Sequence, residues 1–258
     1  MFSEEINKVA GAAEKKVVFL KESKSKYLLA SAMAGMFVGF GIILIFTIGG
    51  LLSAANSPAT RIVMGASFGI ALSLVLMAGS ELFTGNNMIM TVGALEKKVT
   101  WMGAINVWIF SFIGNLLGSI LMAFMYSQTG LAQGNAVGNF ILKTAGTKMN
   151  APFMQLFVRG ILCNFLVCLA IWCFFKLKEE TAKLVMVFWC LFAFITSGFE
   201  HSIANMTLLS IALFIPHEAP VTLGGFAYNL TASTLGNFIG GALFMGAAYW
   251  YISKKKIV

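Results

Sequence analysis

Glu200 and His201 stand side by side inside a long apolar run, in the segment Gly198-Phe199-Glu200-His201-Ser202-Ile203-Ala204-Asn205-Met206. An ionisable group at membrane depth is costly, so it faces a cavity or a partner and marks a path for ions or protons. Histidine titrates near neutral pH, so His201 suits two tasks: donating a hydrogen bond to an anion, or handing it a proton. The plainer reading is a structural histidine bonded to a neighbouring carbonyl or to Glu200. The break in the apolar run around it favours the chemical role. A second interruption, Glu81-Leu82-Phe83-Thr84-Gly85-Asn86-Asn87, lies in an earlier apolar run. Thr84 sits beside Gly85, which lets the chain turn sharply. Its hydroxyl, or N–H groups nearby, could replace water around an anion; a bond to its own backbone is the alternative.

Four further residues complete the set. A carboxylate facing an anion path would repel its cargo, so Glu81 and Glu200 read as structural, each satisfying backbone donors freed where its helix breaks. Asn164, in another apolar run, contacts His201 or a passing ion, or simply bonds a neighbouring helix. Lys148 follows a polar connection. A cation at a cavity mouth raises the local anion concentration, while spacing alone describes a solvated loop lysine. Arg159, inside its apolar run, suits pairing or snorkelling at a subunit or headgroup boundary.

The elements that must position these residues are membrane helices. Of 258 residues, 59% are hydrophobic and only 11% charged, against roughly 25% charged in a soluble domain. Mean hydropathy is +0.85. Six runs are near the roughly 20 residues a spanning helix needs: about 27–53, 60–95 with a break, 101–127, 153–175, 184–214 with a break, and 230–253. Residues 1–26 form a lysine-bearing, helical leading segment, 27–253 a six-span bundle, and 254–258 a tail, all within one membrane domain. No short cleavable apolar region precedes the first span. The connection 128–152 is rich in Gly, Thr and Asn, and 215–229 carries Pro216, His217, Glu218 and Pro220.

Eighteen basic residues against ten glutamates give a net charge of +8. Nucleic acid is not the partner, because most of the lysines flank membrane spans. Fourteen of the eighteen fall on one side of the bundle; Arg61, Lys143 and Lys148 fall on the other. The positive-inside rule then puts both termini in the cytoplasm. Cys163, Cys168, Cys173 and Cys190 lie in apolar runs without metal-ligand spacing and read as small core residues. No nucleotide-binding glycine loop, HExxH, CxxC or supported Ser-His-Asp set is present, so neither ATP-driven pumping nor metal or cofactor chemistry is expected. An intramembrane enzyme built on Glu200 and His201 would need a further nucleophile or ligand cluster, and none is visible.

Spans two and five are too long for a plain crossing, and each contains its polar break. Irregular backbone at this depth must line a cavity or be buried in protein. The two halves also echo each other. Gly114-Asn115-Leu116-Leu117-Gly118-Ser119 resembles Gly236-Asn237-Phe238-Ile239-Gly240-Gly241 at an offset of 122 residues, and Glu81 and Glu200 are 119 apart. Three spans per half require the repeats to be inverted in the membrane.

These residues resemble the formate–nitrite transporter family over nearly the whole chain. ELFTGN (81–86) and GFEHSIANM (198–206) match its two interruption motifs, and GILCNFLVCLAIW (160–172) its fourth span. Within the family the chain is most similar to the hydrosulfide branch. The resemblance implies an aquaporin-like protomer, a homopentamer in a bacterial inner membrane, and one pore per protomer for hydrosulfide, formate or nitrite. It places Phe68 and Leu82 at one apolar constriction and Phe194 at the other, with Thr84, Asn164 and His201 lining the space between and Lys148 in a vestibule. It also likens residues 3–24 to the segment proposed to gate formate channels, although that branch lacks Gly85-Asn86 after its threonine. Aquaporin itself is excluded, because Asn56-Ser57-Pro58-Ala59 is not an Asn-Pro-Ala box. Channel and proton-coupled carrier would use the same pore residues.

Overall fold

A computed structural model describes residues 2–218 and 220–254. All regular structure in this range is helical. The first half comprises α1 (Ser3–Glu22), α2 (Lys24–Ala54), α3 (Thr60–Ser67), α4 (Gly69–Met77), α5 (Phe83–Leu95) and α6 (Trp101–Gln128). The second comprises α7 (Ala136–Met149), α8 (Phe153–Lys176), α9 (Glu180–Ser197), α10 (Ser202–Phe214), α11 (Leu223–Phe238) and α12 (Ala248–Ser253). A π-helical stretch, Ile239–Ala247, joins the last two into one continuous span. Lys255 and Lys256, counted in the charge asymmetry, lie outside the described residues, as does the tail beyond Lys254.

Local chemistry sets the helix starts. Ser23, Thr100, Asn135 and Thr222 each accept, through a side-chain oxygen, the N–H three residues on, at 3.3, 3.0, 3.0 and 3.0 Å. Such caps satisfy a donor that a helix start leaves unpaired. α9 stops at Gly198, whose φ of 78° is the left-handed conformation glycine adopts without penalty. Among the described residues, five helical stretches, one of them α3 and α4 together, are long and apolar enough to cross a membrane. Large apolar side chains such as Leu29, Phe40, Leu51, Ile109, Leu117 and Phe124 stay exposed, as a surface meeting lipid or other subunits requires.

Both expected breaks are present, at 78–82 and 198–201, so in span two the half-helix α5 follows α3 and α4, and in span five the half-helix α10 follows α9. Two expectations change. The connection 128–152 contains a 14-residue helix, α7; its small and polar residues hid an apolar stripe that includes Val137, Ile141, Ala145 and Met149, all buried. The sixth span begins at Leu223 rather than 230, because Thr222 caps it. Each repeat is therefore three crossings preceded by a shorter helix, α1 in one half and α7 in the other.

The glycine echo has a packing cause. α2 packs on α6, and α8 on α11, more extensively than any other pair. A Cβ on Gly118 would run into the carbonyl of Ala32, and one on Gly240 into the carbonyl of Ile161. Gly114 and Gly236 are blocked in the same way, by Ser31 and Phe157. Without side chains here the helices approach closely, and the asparagine between each glycine pair reaches across to the break.

Candidate functional site

The second break is built around Glu200. Its N–H donates to the carbonyl of Arg159 at 3.3 Å. Its carboxylate is 2% exposed and accepts from Lys148 Nζ at 2.8 Å and from Asn205 Nδ2 at 2.7 Å. Asn205 also donates to Asn229 Oδ1, and Asn229 donates to the Lys148 carbonyl. The first break repeats this plan around Glu81. Its carboxylate accepts from Lys16 Nζ at 2.8 and 2.7 Å, from the Tyr27 hydroxyl at 2.7 Å and from Asn86 Nδ2 at 3.2 Å. Lys16 of α1 thus mirrors Lys148 of α7.

The carboxylates do not cap the half-helices, as their positions had suggested. The freed backbone groups go to two asparagines. Asn115 Oδ1 accepts from the Phe83 N–H at 2.9 Å, and its Nδ2 donates to the carbonyls of Ser31 and Glu81. Asn237 Oδ1 accepts from the Ser202 N–H at 2.8 Å, and its Nδ2 donates to Gly160 and Glu200. A neutral amide offers both a donor and an acceptor, so it can close a break on both sides. A carboxylate can only accept.

The two half-helices meet at His201 and Thr84. Nδ1 of His201 accepts from the Ala204 N–H at 3.1 Å, capping α10. That bond assigns the proton of the neutral ring to Nε2, which stands 3.1 Å from Thr84 Oγ1. Phe194 stacks on the imidazole with ring centroids 5.9 Å apart, and meets Phe68 edge-on at 5.7 Å.

Two cavities approach this junction from opposite ends. One, of about 590 Å³, contains Lys148, Glu200, Phe194 and His201 on its wall. The other, of about 500 Å³, is lined by Lys16, Leu82, Gly85 and Asn86. Between them lies a gap of about 10 Å³, walled by Phe68, Leu82, Phe194 and apolar neighbours, with His201 its one polar residue. That volume is about the size of one water.

Sequence reasoning brings His201, Thr84, Phe68, Leu82, Phe194, Lys148 and both glutamates to this region. Phe68, Leu82 and Phe194 all border one small void that His201 also lines. Two residues differ in detail. Thr84 is fully buried behind His201 and lines none of the three cavities. Asn164 also lines none of them; its Nδ2 donates to the carbonyls of Thr84 at 3.1 Å and Asn237 at 2.6 Å, tying the two breaks together. Asn115, Asn237 and Lys16 lie outside the residues the sequence singles out. The Gly-Asn echo carries the signal for the asparagines, inside a pattern that reads as a glycine helix contact. Lys16 was one of six lysines before or at the start of the first span. Among the described residues, no group of His, Cys, Asp or Glu could hold a metal ion.

Known proteins resemble this chain over nearly its whole length. The formate/nitrite transporter family model matches residues 3–251. The nitrite transporter NirC of Escherichia coli strain K12 is 45% identical over 99% of this chain and 94% of its own. A solved FNT family ion channel superimposes with a TM-score of 0.93 at 43% identity, covering 98% of this chain and 100% of that one. A pentameric formate channel with formate bound superimposes at 0.80 and 30% identity, covering 91% and 99%. These relatives are transporters and channels, not enzymes. The paired breaks closed on one imidazole are thus the core of a multi-pass membrane protein, and the chain belongs to the formate/nitrite transporter family.

Proposed function

We propose that each protomer conducts small monovalent anions of weak acids through the gap at His201, within a homopentamer like that of the related formate channel. The observation that carries this reading is the gap itself: two cavities, each with a lysine on its wall, separated by an apolar constriction whose one polar residue is His201. Lys148 and Lys16 are each paired with a glutamate, and the excess of cations on the wall of the larger cavity, Arg61, Lys143 and Arg159, gives it the positive potential that concentrates anions. The apolar ring of Phe68, Leu82 and Phe194 strips water and offers a hydrated cation nothing in return. A bare anion there is costly unless hydrogen-bonded, and the Nε2–H of His201 supplies the donor. Thr84, accepting the same hydrogen in the resting state, keeps that donor satisfied between passages. A path through an imidazolium is less well supported, because its Nδ1–H would face the Ala204 N–H.

Within the anion set we propose hydrosulfide as the physiological cargo, with formate and nitrite also passing. Hydrosulfide has one heavy atom, so it needs the least widening of the gap and asks for the fewest hydrogen bonds. The likeness to a nitrite transporter makes nitrite its main competitor. Lysine placement supports both termini in the cytoplasm of a bacterial cell, with the Lys148 cavity opening outward.

The test is stopped-flow uptake of hydrosulfide, formate, nitrite and chloride into liposomes carrying the protein, with empty liposomes subtracting leakage of the neutral acids. Protein-dependent flux of the weak-acid anions, lost in a pentameric His201→Phe variant, is the expected result. Equal flux in that variant overturns the role of His201. Accumulation against a gradient would replace the channel by a proton-coupled carrier.

A further inference from the structure

The two cavities differ in how their cations are balanced. In the smaller one, Lys8, Lys16 and Lys183 line the wall, and each holds a glutamate at 2.7 Å: Glu4, Glu81 and Glu180. In the larger one, Arg61, Lys143, Lys148 and Arg159 line the wall with one carboxylate, Glu200. Lys148 takes that carboxylate. Arg61, Lys143 and Arg159 have no ion-pair partner among the described residues. Four cations against one anion leave three positive charges in excess around one cavity.

The placement of the arginines adds geometry to this charge. Both flank the same break. A Cβ on Gly198 would stand 3.1 Å from a guanidinium nitrogen of Arg61. Arg159 accepts the Glu200 N–H on its own carbonyl, and its guanidinium has only a long 3.4 Å bond to Gln155 Oε1. Planar guanidinium forks match oxyanions with two parallel hydrogen bonds, which a point charge such as lysine does not do. A monovalent ion on its way through needs only a weak, escapable site; two unpaired forks are more than it requires. A five-atom tetrahedral dianion would fill part of about 590 Å³ easily, but would need the gap of about 10 Å³ to widen further than any of the permeant monovalent anions does.

We infer that the larger cavity is a docking site for a divalent oxyanion of the sulfate or hydrogen phosphate class, held by Arg61 and Arg159 and stopped by the gap, so that it competes with the permeant monovalent anion. The blocking half of this inference rests on the gap being the anion path; the binding half does not.

Two measurements separate them. The first is saturable binding of radiolabelled sulfate to the purified oligomer in detergent, with chloride at matched ionic strength as competitor. The expected result is binding that chloride does not displace and that Arg61→Gln and Arg159→Gln each weaken roughly tenfold, the scale of one charged hydrogen bond. Arg→Lys variants, which keep charge but lose the fork, should fall between. Absence of saturable binding, or equal binding in the Gln variants, overturns the site. Displacement of sulfate by anionic phospholipid would identify a lipid headgroup as the occupant and overturns the free-anion proposal. The second is formate influx in proteoliposomes with sulfate on both sides, each variant compared with its own uninhibited flux. Block that the Gln variants relieve supports the whole inference. If no anion moves at all, the path reading fails and binding alone decides the site. If flux is present and sulfate binds without blocking it, competition is overturned.

Discussion

Asn115 and Asn237 close the two helix breaks with the same three hydrogen bonds. Each accepts the first N–H of the following half-helix, at 2.9 and 2.8 Å. Each donates to the carbonyl of the glutamate in the break, at 2.9 and 2.8 Å. Each donates again to a carbonyl of the first span in its own half, Ser31 at 2.7 Å and Gly160 at 2.8 Å. Both side chains are fully buried. Without them an N–H and a carbonyl at each break, those of Phe83 and Glu81 or of Ser202 and Glu200, would lose their partner at membrane depth, where an unsatisfied group costs most, while the Ser31 and Gly160 carbonyls keep their places inside α2 and α8.

Asn115→Asp and Asn237→Asp should therefore both destabilise the oligomer, although the shape barely changes. Aspartate keeps the acceptor and loses both donors, leaving the glutamate carbonyl in the break unsatisfied at roughly 1–3 kcal/mol and setting a second oxygen against the carbonyl of the neighbouring helix. Thermal unfolding of the detergent-solubilised protein should show similar losses for the two variants, since the two sites have the same bonds. An unchanged unfolding temperature in either would mean that water closes that break as well as the asparagine does.

The two lysine–glutamate pairs should respond differently to being broken. Glu200 is 2% exposed, whereas Lys16 and Glu81 are 15% and 13% exposed. Removing Lys148 leaves a buried carboxylate without its cation, a change on the order of 3–5 kcal/mol. Tyr27 and Asn86 remain to support Glu81 when Lys16 is lost. Lys148→Met should cost more stability than Lys16→Met, and Lys148→Met with Glu200→Gln should recover much of the loss. Denaturation of the three variants checks the order; equal losses would show that both breaks are equally solvated.

What the sequence discloses here follows from what its physics makes conspicuous. Ionisable side chains do not hide in an apolar run, so Glu81, Glu200 and His201 announce their breaks, and the lysine-flanked runs define the spans. Asn115 was visible only as the middle of a Gly-x-x-x-Gly pattern, because an amide inside a helix has no periodicity of its own. α7 was invisible for a related reason: its buried stripe includes the small residues Gly138, Ala145 and Gly146, and composition registers these as loop. The partner of Glu81 lies 65 residues upstream in α1, and no local pattern links an amphipathic leading helix to a break in span two. The break announces Thr84 as well, but which way its hydroxyl faces depends on the tautomer that Ala204 imposes on His201.

The contact between Thr84 and His201 makes their contributions to flux non-additive. Thr84→Val removes the acceptor that holds Nε2–H in place, and the ring can then turn away from the gap. His201→Phe removes the donor itself. Once the donor is gone, loss of the threonine hydroxyl should matter little. Groups in direct contact couple by roughly 0.5–3 kcal/mol. The double variant should therefore conduct about as poorly as His201→Phe alone, in the same liposome uptake assay. If the two single losses multiply, the hydroxyl contacts the anion independently of the imidazole.

The close approach of α2 to α6 and of α8 to α11 predicts where added bulk is intolerable. Gly118→Ala and Gly240→Ala each place a methyl against a helix backbone, at the carbonyls of Ala32 and Ile161. Backbone cannot move aside as a flexible side chain can, so the helix pair must separate. Separation draws Asn115 away from the first break, or Asn237 from the second, and the hydrogen bonds that close the break are lost with the packing. Gly11 is the control. It lies inside α1, and nothing stands within 4 Å of a Cβ built there. Alanine at that position should stabilise α1 by roughly 0.5–1 kcal/mol through the greater helix propensity of alanine. Size-exclusion profiles and unfolding temperatures of the three variants distinguish the cases: Gly11→Ala should elute and melt as the parent or slightly above it, while Gly118→Ala and Gly240→Ala should lose oligomer or melt well below. Parent-like behaviour at Gly118 would mean that α2 and α6 are not held at this separation in the membrane, and that the hold of Asn115 on the first break does not depend on it.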